Sequence, residues 1–284
     1  EYLYGRLLQL FGREYIFAME SPGYKKIARI SAGYGNRWEH IPIDDSGLIV
    51  DRLEDSGADI VHVSPANHFP TGIVMSITRR IELFEWANRI KKRYIIEDDY
   101  DSEFRYSGKP IPPLYAADTR SKVIYMNTFS KSLVPSLRIS YMVLPPQLLA
   151  LYEKTQSFYA CTVSSFEQYA LARFLSEGNF ERHINRMKNY YRSVRAQILE
   201  ALRASPLAAV SVITEHNAGT HFLLSVVNEL TSEQVRDAAS RLDLLLSFYS
   251  EYSLSESGPK HCTLVINYAG MQPARIPEIV RRLC

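Results

Sequence analysis

The chain is poor in cysteine, carries almost no net charge and has no long apolar run. Its cysteines, Cys161, Cys262 and Cys284, are odd in number and show no paired spacing. That argues against a disulfide framework or a zinc site, and reads as free thiols in a reducing cytoplasm. A formal net charge of +2 leaves no dominant basic surface for nucleic acid. No uncharged run approaches the roughly 18 residues of a membrane span. No signal-peptide pattern opens the chain, and there is no repeat, low-complexity tract or basic run. What remains is an ordinary globular composition over 284 residues, long enough for a large core divided into one large and one small lobe.

The stretch from Tyr94 to Arg138 carries the most chemistry. Tyr94-Ile95-Ile96 runs into Glu97-Asp98-Asp99-Tyr100-Asp101, and Val123-Ile124-Tyr125-Met126 runs into Asn127-Thr128-Phe129-Ser130-Lys131, followed by Pro135-Ser136-Leu137-Arg138. Each half reads as a buried strand ending in polar residues, the pattern of a parallel sheet covered on both faces. In open α/β sheets the ligand site lies beyond the carboxyl ends of the strands. Acids, a tyrosine, a lysine and an arginine delivered to one rim suit pyridoxal 5′-phosphate (PLP). The lysine can form a Schiff base, an acid can keep the pyridine nitrogen protonated, and the arginine can pair with the phosphate.

Around this stretch the chain alternates strand and helix. The opening at Glu1 enters a helical pattern at once, which reads as the interior of a longer protein, and Gly12 ends that helix. Residues 15–19 read as a strand, with a turn at Glu20–Tyr24. Asp59–Val63 is a second strand, leading into the Pro/Gly-shaped loop Ser64–Gly72. Ser76 is placed to cap a helix over Ile77–Lys92, so strand, helix, strand implies a right-handed crossover. Arg138–Leu144 is one more strand, and Gln147–Glu177 reads as continuously helical. Asn179 then caps a long amphipathic helix. The last third, with strands near 210–213, 222–226 and 263–268 and helices over 231–242 and 273–283, predicts a small α+β domain.

Each candidate has a plain alternative. A lone lysine in a loop is usually solvated. Thr128 and Ser130 before Lys131, and Arg138 seven residues after it, change those odds, because hydroxyls, amides and a guanidinium together bind a phosphate. Asp98 in an acidic run is an ordinary cap unless buried near a pyridinium. Tyr100 would then hydrogen-bond the ring's phenolic oxygen. Tyr24 is a turn aromatic or a ring-stacking one. Asn67 and His68 either satisfy their own loop or flank a ligand.

Glu97-Asp98-Asp99-Tyr100-Asp101-Ser102-Glu103-Phe104-Arg105-Tyr106, with Thr128–Lys131 and Pro135–Arg138, resembles the aminotransferase-like domain of MocR/GabR-type bacterial transcription regulators. The resemblance extends to Pro22-Gly23-Tyr24, Phe69-Pro70-Thr71-Gly72, Gly178–His183 and Ala218-Gly219-Thr220-His221. The Ser-Glu-Phe-Arg-Tyr extension is the part that free-standing aminotransferases usually lack. It implies a fold-type I α/β architecture: a PLP-binding large domain over 1–185, lacking its N-terminal part, with a mainly parallel sheet, and a smaller α+β domain over 186–284. It also implies Lys131 as the Schiff-base lysine, Asp98 at the pyridine nitrogen, Tyr100 at the phenolic oxygen and Tyr24 stacked on the ring. Thr128, Ser130 and Arg138 would hold the phosphate, and Asn67 or His68 would flank the ring. The implied role is effector sensing and dimerisation in the cytoplasm, with turnover absent or slow. DNA would be bound by a winged helix-turn-helix outside this chain. The alternative is a true PLP-dependent aminotransferase, and the plainest reading is a two-lobe protein without a cofactor.

Two departures stand out. The glycine-rich turn that relatives use for the phosphate would precede Glu1 and is not in this chain. The carboxylate-clamping arginine of aminotransferases falls at Val265 in Leu264-Val265-Ile266-Asn267-Tyr268-Ala269-Gly270, and valine cannot make that pair. The effector then lacks a carboxylate, is clamped by another residue such as Lys26, or is PLP itself.

Overall fold

The computed structural model describes residues 1–106, 108, 111–227, 230–253 and 261–284. A seven-stranded sheet forms the large lobe: β1 (Ile16–Ser21), β2 (Arg37–Asp44), β3 (Gly47–Leu48), β4 (Ile60–Val63), β5 (Tyr94–Asp98), β6 (Val123–Thr128) and β7 (Ser140–Val143). The spatial order is β3-β2-β1-β4-β5-β6-β7. Strands β2, β1, β4, β5 and β6 are parallel, and β3 and β7 are antiparallel at the two edges.

The short apolar runs form strands because both faces of this sheet are covered. Along β5 and β6 the side chains alternate between two core layers. Ile95 and Val123 pack with Leu83 and Trp86 of helix Ile77–Arg89. Ile96 and Ile124 pack with Leu7 and Phe11 of helix Tyr2–Phe11. Gly12, at φ 79°, closes that first helix by donating its N–H to Leu8. Ser76 caps the crossover helix by accepting from the Arg79 N–H.

The 25-residue helix Asn179–Arg203, about 37 Å long at 1.5 Å per residue, leads into the small lobe. Its Val194, Ile198 and Leu202 pack against Phe222, Leu224, Leu264 and Ile266 of the three-stranded antiparallel sheet. That sheet is ordered β10-β9-β8, from β8 (Ser211–Thr214), β9 (His221–Val226) and β10 (Cys262–Asn267). Helices Ser232–Arg241 and Ile276–Leu283 complete the expected α+β unit. The boundary proposed at 185/186 falls inside the long helix.

Three local features go beyond or against the sequence reading. Arg37–Asp44 is a strand that the sequence concealed, because its Trp-Glu-His-Ile-Pro alternation leaves it only partly buried. The stretch 147–177 is two helices, Pro146–Gln156 and Ser165–Ser176, because Ser164 accepts from the Glu167 N–H and starts a new one. Gly178, at φ 67°, holds the cap position of the long helix, and Asn179 is its first residue. Cys161 and Cys284 are exposed free thiols and Cys262 is a buried one. Among the described residues no helix is long and apolar enough to cross a membrane.

Candidate functional site

Parallel pairing of β1, β4, β5 and β6 brings their carboxyl ends to one rim, and antiparallel β7 begins there with Ser140 opposite Thr128. A cavity of about 370 Å³ opens at that rim. Of the nine residues expected from sequence, Lys131, Asp98, Tyr100, Tyr24, Thr128, Ser130, Arg138 and His68 line it. Asn67 does not, although it is buried beside it.

Lys131 sits in the single helical turn Phe129–Ser132 directly after β6. Thr128 shapes this turn: its Oγ1 accepts from the Ser130 N–H at 3.2 Å, and its hydroxyl lies 3.1 Å from Ser130 Oγ. Arg138 follows the turn Pro135–Leu137 at φ 52°, a left-handed conformation that a residue with a side chain seldom adopts. Two hydroxyls, a guanidinium and an amine therefore converge within eleven residues, 128–138.

Asp98 ends β5 and is the one member of its acidic run on the cavity wall. Glu97 instead accepts the Leu114 and Tyr115 N–H groups, Asp99 accepts from Tyr125 Oη, and Asp101 accepts from Asn67. Asp98 is held from behind. Tyr4 Oη, on the first helix, donates to Asp98 Oδ2 at 2.7 Å and lies 2.8 Å from His62 Nε2. With the tyrosine proton committed to the carboxylate, His62 Nε2–H is the donor to Tyr4. Burial first, then the Asp98 charge, holds the Tyr4 phenol far above its ordinary range. Tyr100 is likewise kept protonated, by burial and then by Asp101 and Asp98. Its hydroxyl donates to the Asn67 main-chain carbonyl at 2.9 Å and accepts from Asn67 Nδ2 at 3.2 Å.

His68 Nδ1 is 2.7 Å from Thr71 Oγ1, and its Nε2 has no hydrogen-bond partner. That nitrogen is 3.7 Å from Glu20 Oε2, which accepts the Ser64 N–H. The pair is not an ion pair. Burial pushes Glu20 up to about 8 and His68 down to about 3, so both are uncharged at neutral pH. Tyr24 is about two-fifths exposed and meets Phe69 edge-on at 6.5 Å.

Val265 is buried in β10 opposite Leu223. Asn267, two residues on and so on the same face of the strand, lines the cavity. Lys26 is exposed, lies 2.6 Å from Glu1 Oε1 and does not line the cavity. Tyr4, Glu20, His62 and Asn267 were not singled out by sequence, because each sits inside an apolar helix or strand pattern or its flank. Only positions near strand ends, Glu20 in β1 of the large sheet and Asn267 in β10 of the small one, could have flagged these two. Among the described residues no group of three or more His, Cys, Asp and Glu is placed to hold a metal ion.

Residues 4–283 match the family Aminotransferase class I and II. The chain belongs to that family. Its fold agrees: kynurenine aminotransferase of Pyrococcus horikoshii superposes with a TM-score of 0.83 at 27% identity, covering 98% of this chain and 71% of that one. A multiple-substrate aminotransferase of Thermococcus profundus gives 0.84 at 28% identity, covering 99% and 71%. Fold-type I aminotransferases typically bind PLP. The sequence relatives include regulators. An uncharacterised HTH-type transcriptional regulator of Bacillus subtilis, YdeL, is 37% identical over 98% of this chain and 59% of its own length. The probable rhizopine catabolism regulatory protein MocR of Rhizobium meliloti is 32% identical over 93% and 53%. Aromatic-amino-acid aminotransferase 1 of Thermococcus litoralis is 32% identical over 69% and 50%. The chain spans about half the length of these curated relatives.

Proposed function

We propose that this chain is the PLP-binding, effector-sensing and dimerisation domain of a transcription regulator. The observation that carries the cofactor assignment is the single cavity shared by Lys131, Asp98, Tyr24 and the Thr128, Ser130 and Arg138 group. The residues fit the group. A primary amine stands for covalent attachment, a carboxyl group already fixed by Tyr4 would pair with a ring nitrogen, and hydroxyls with a guanidinium suit a phosphate dianion. Bound PLP would supply an electron sink for chemistry at an amine's α-carbon. This chain's own residues bind and orient it. Asp98 presents its carboxyl to the cavity, Tyr100 presents a hydroxyl, and the uncharged Glu20 and His68 leave the wall between β1 and β4 without a competing ion.

The regulator assignment rests on the HTH-type relatives, whose lengths leave room for a separate DNA-binding segment. The effector is an amino acid, another amine or PLP itself. It acts by favouring one arrangement of the two lobes, and hence of the attached DNA-binding segments. A homodimer is supported by helix Ser165–Ser176. It buries none of its residues and leaves Phe166 and Tyr169 about four-fifths exposed, an apolar face that a partner surface would cover.

The second reading, a working aminotransferase, is favoured by the similarity to the Thermococcus litoralis enzyme. Against it stands Val265, where an aminotransferase would carry its carboxylate clamp. The test is a spectral screen of PLP-loaded full-length protein against amino acids and amines. A ligand-induced spectral change without 2-oxo-acid product supports the sensor. Stoichiometric 2-oxo acid at ordinary enzymatic rates supports the enzyme. No visible cofactor band at all refutes both.

A further inference from the structure

The motif that follows Tyr100 has an architectural role that the cavity does not explain. Phe104, six residues after the cavity residue Asp98, is fully buried in the small-lobe core with Tyr191, Phe222 and Tyr268. From Phe104 to Tyr106 the chain docks onto the segment that leads into β9. The Gly219 N–H donates to the Phe104 carbonyl at 2.8 Å, and the Tyr106 N–H donates to the Asn217 carbonyl at 3.0 Å. Arg105 and Ala218 form an antiparallel bridge between the same two stretches. The Gly219 carbonyl is held twice more, by Tyr106 Oη at 2.7 Å and Tyr268 Oη at 2.8 Å. The Gly219 backbone is therefore fixed to the small lobe.

On its other side Gly219 rests against Asn67. A side-chain carbon at Gly219 would lie 2.0 Å from Asn67 Nδ2 and 3.0 Å from Asp101 Oδ2, and the residue has φ 70°. Asn67 Nδ2 bonds both Asp101 oxygens, at 3.0 and 2.8 Å, and Tyr100 Oη at 3.2 Å. Its Oδ1 has no partner. The amide is thus locked by Asp101, pressed by Gly219 and in contact with the hydroxyl of a cavity residue.

We propose that Asn67 and Asp101 are positioning residues that couple the location of the small-lobe Gly219 segment to the Tyr100 hydroxyl. The inference rests on the PLP-binding reading of the cavity and deepens it. Movement of the small lobe shifts Gly219, Gly219 displaces the Asn67 amide, and the hydroxyl presented to the cofactor changes its partner. The Ser-Glu-Phe-Arg-Tyr extension is the strap that makes the connection short, because it carries the chain from the cavity wall into the small-lobe core.

Two double-mutant cycles test this. In the first, PLP affinity is read from titration of the visible band. Asn67→Ala and Tyr100→Phe each weaken binding by about fivefold, the loss of roughly one hydrogen bond, and the double variant is no weaker than Tyr100→Phe alone. In the second, thermal unfolding is measured without cofactor. Gly219→Ala lowers Tm strongly in the parent and clearly less in the Asn67→Ala background, where the blocking nitrogen is gone. Parental PLP affinity in Asn67→Ala, additive losses in the first cycle, or an equal Tm drop in both backgrounds overturns the coupling alone. Absence of a visible band in the parent overturns the PLP reading itself, and the coupling falls with it.

Discussion

Replacing Glu20 by glutamine isolates the electrostatics of the cavity wall. Glu20 is almost fully buried at the end of β1, and burial raises its pKa from 4.5 to about 8 against the opposing pull of the Ser64 N–H. An unfolded chain ionises this carboxyl from about pH 4.5 upward, whereas the folded protein keeps it protonated until about 8. Between those values the native state holds one more proton than the unfolded state, so stability falls as pH rises through the window. The full shift corresponds to roughly 5 kcal/mol, and water entering the cavity reduces it, giving about 2 to 5 kcal/mol. Glutamine has the shape of the protonated acid, keeps an oxygen for the Ser64 N–H and cannot ionise. The assay is urea unfolding of both proteins, free of cofactor, at steps from pH 4.5 to 8.5. The variant is expected to match the parent at pH 4.5 and to gain steadily to pH 8. A stability difference that does not change with pH, or a parent that gains over the variant toward pH 8.5, refutes the reasoning.

Other expectations follow from single contacts. Phe104→Ala removes a fully buried ring from the small-lobe core and should cost about 3 to 5 kcal/mol in urea unfolding. Tyr4→Phe removes the donor to Asp98 and should weaken PLP binding by about fivefold in a titration of the visible band. Phe166→Asp combined with Tyr169→Asp leaves the fold intact, because neither residue is buried. It should convert the proposed dimer to monomer in light scattering.

What the sequence made legible was decided by burial. Tyr94–Asp98 and Val123–Thr128 announce themselves because the sheet is covered on both faces, so every second residue is apolar toward one layer and its neighbour toward the other. The cavity residues clustered near these strands were visible as polar ends of apolar runs. Arg37–Asp44 was hidden because it lies near the sheet edge with charges interleaved. The break at Ser157–Ser164 was hidden because the flanking segments are both helical, and only the Ser164 side chain marks the restart. Tyr4 and His62 read as core residues. Their role behind Asp98 exists only because the first helix packs beneath the ends of β4 and β5, a contact across 94 residues of sequence. Asn67 was read as a candidate for the ring. The structure turns its amide toward Asp101, a pairing that depends on two loops meeting and leaves no local signal.

The central claim, that Lys131 is the attachment point of a pyridoxal cofactor, is tested most directly by chemical trapping. PLP-loaded full-length protein is reduced with borohydride, digested and mapped by mass spectrometry. The account predicts a single stoichiometric pyridoxyl phosphate adduct on the peptide containing Lys131, absent from Lys131→Ala. No adduct, or a stoichiometric adduct on another lysine that survives Lys131→Ala, contradicts it.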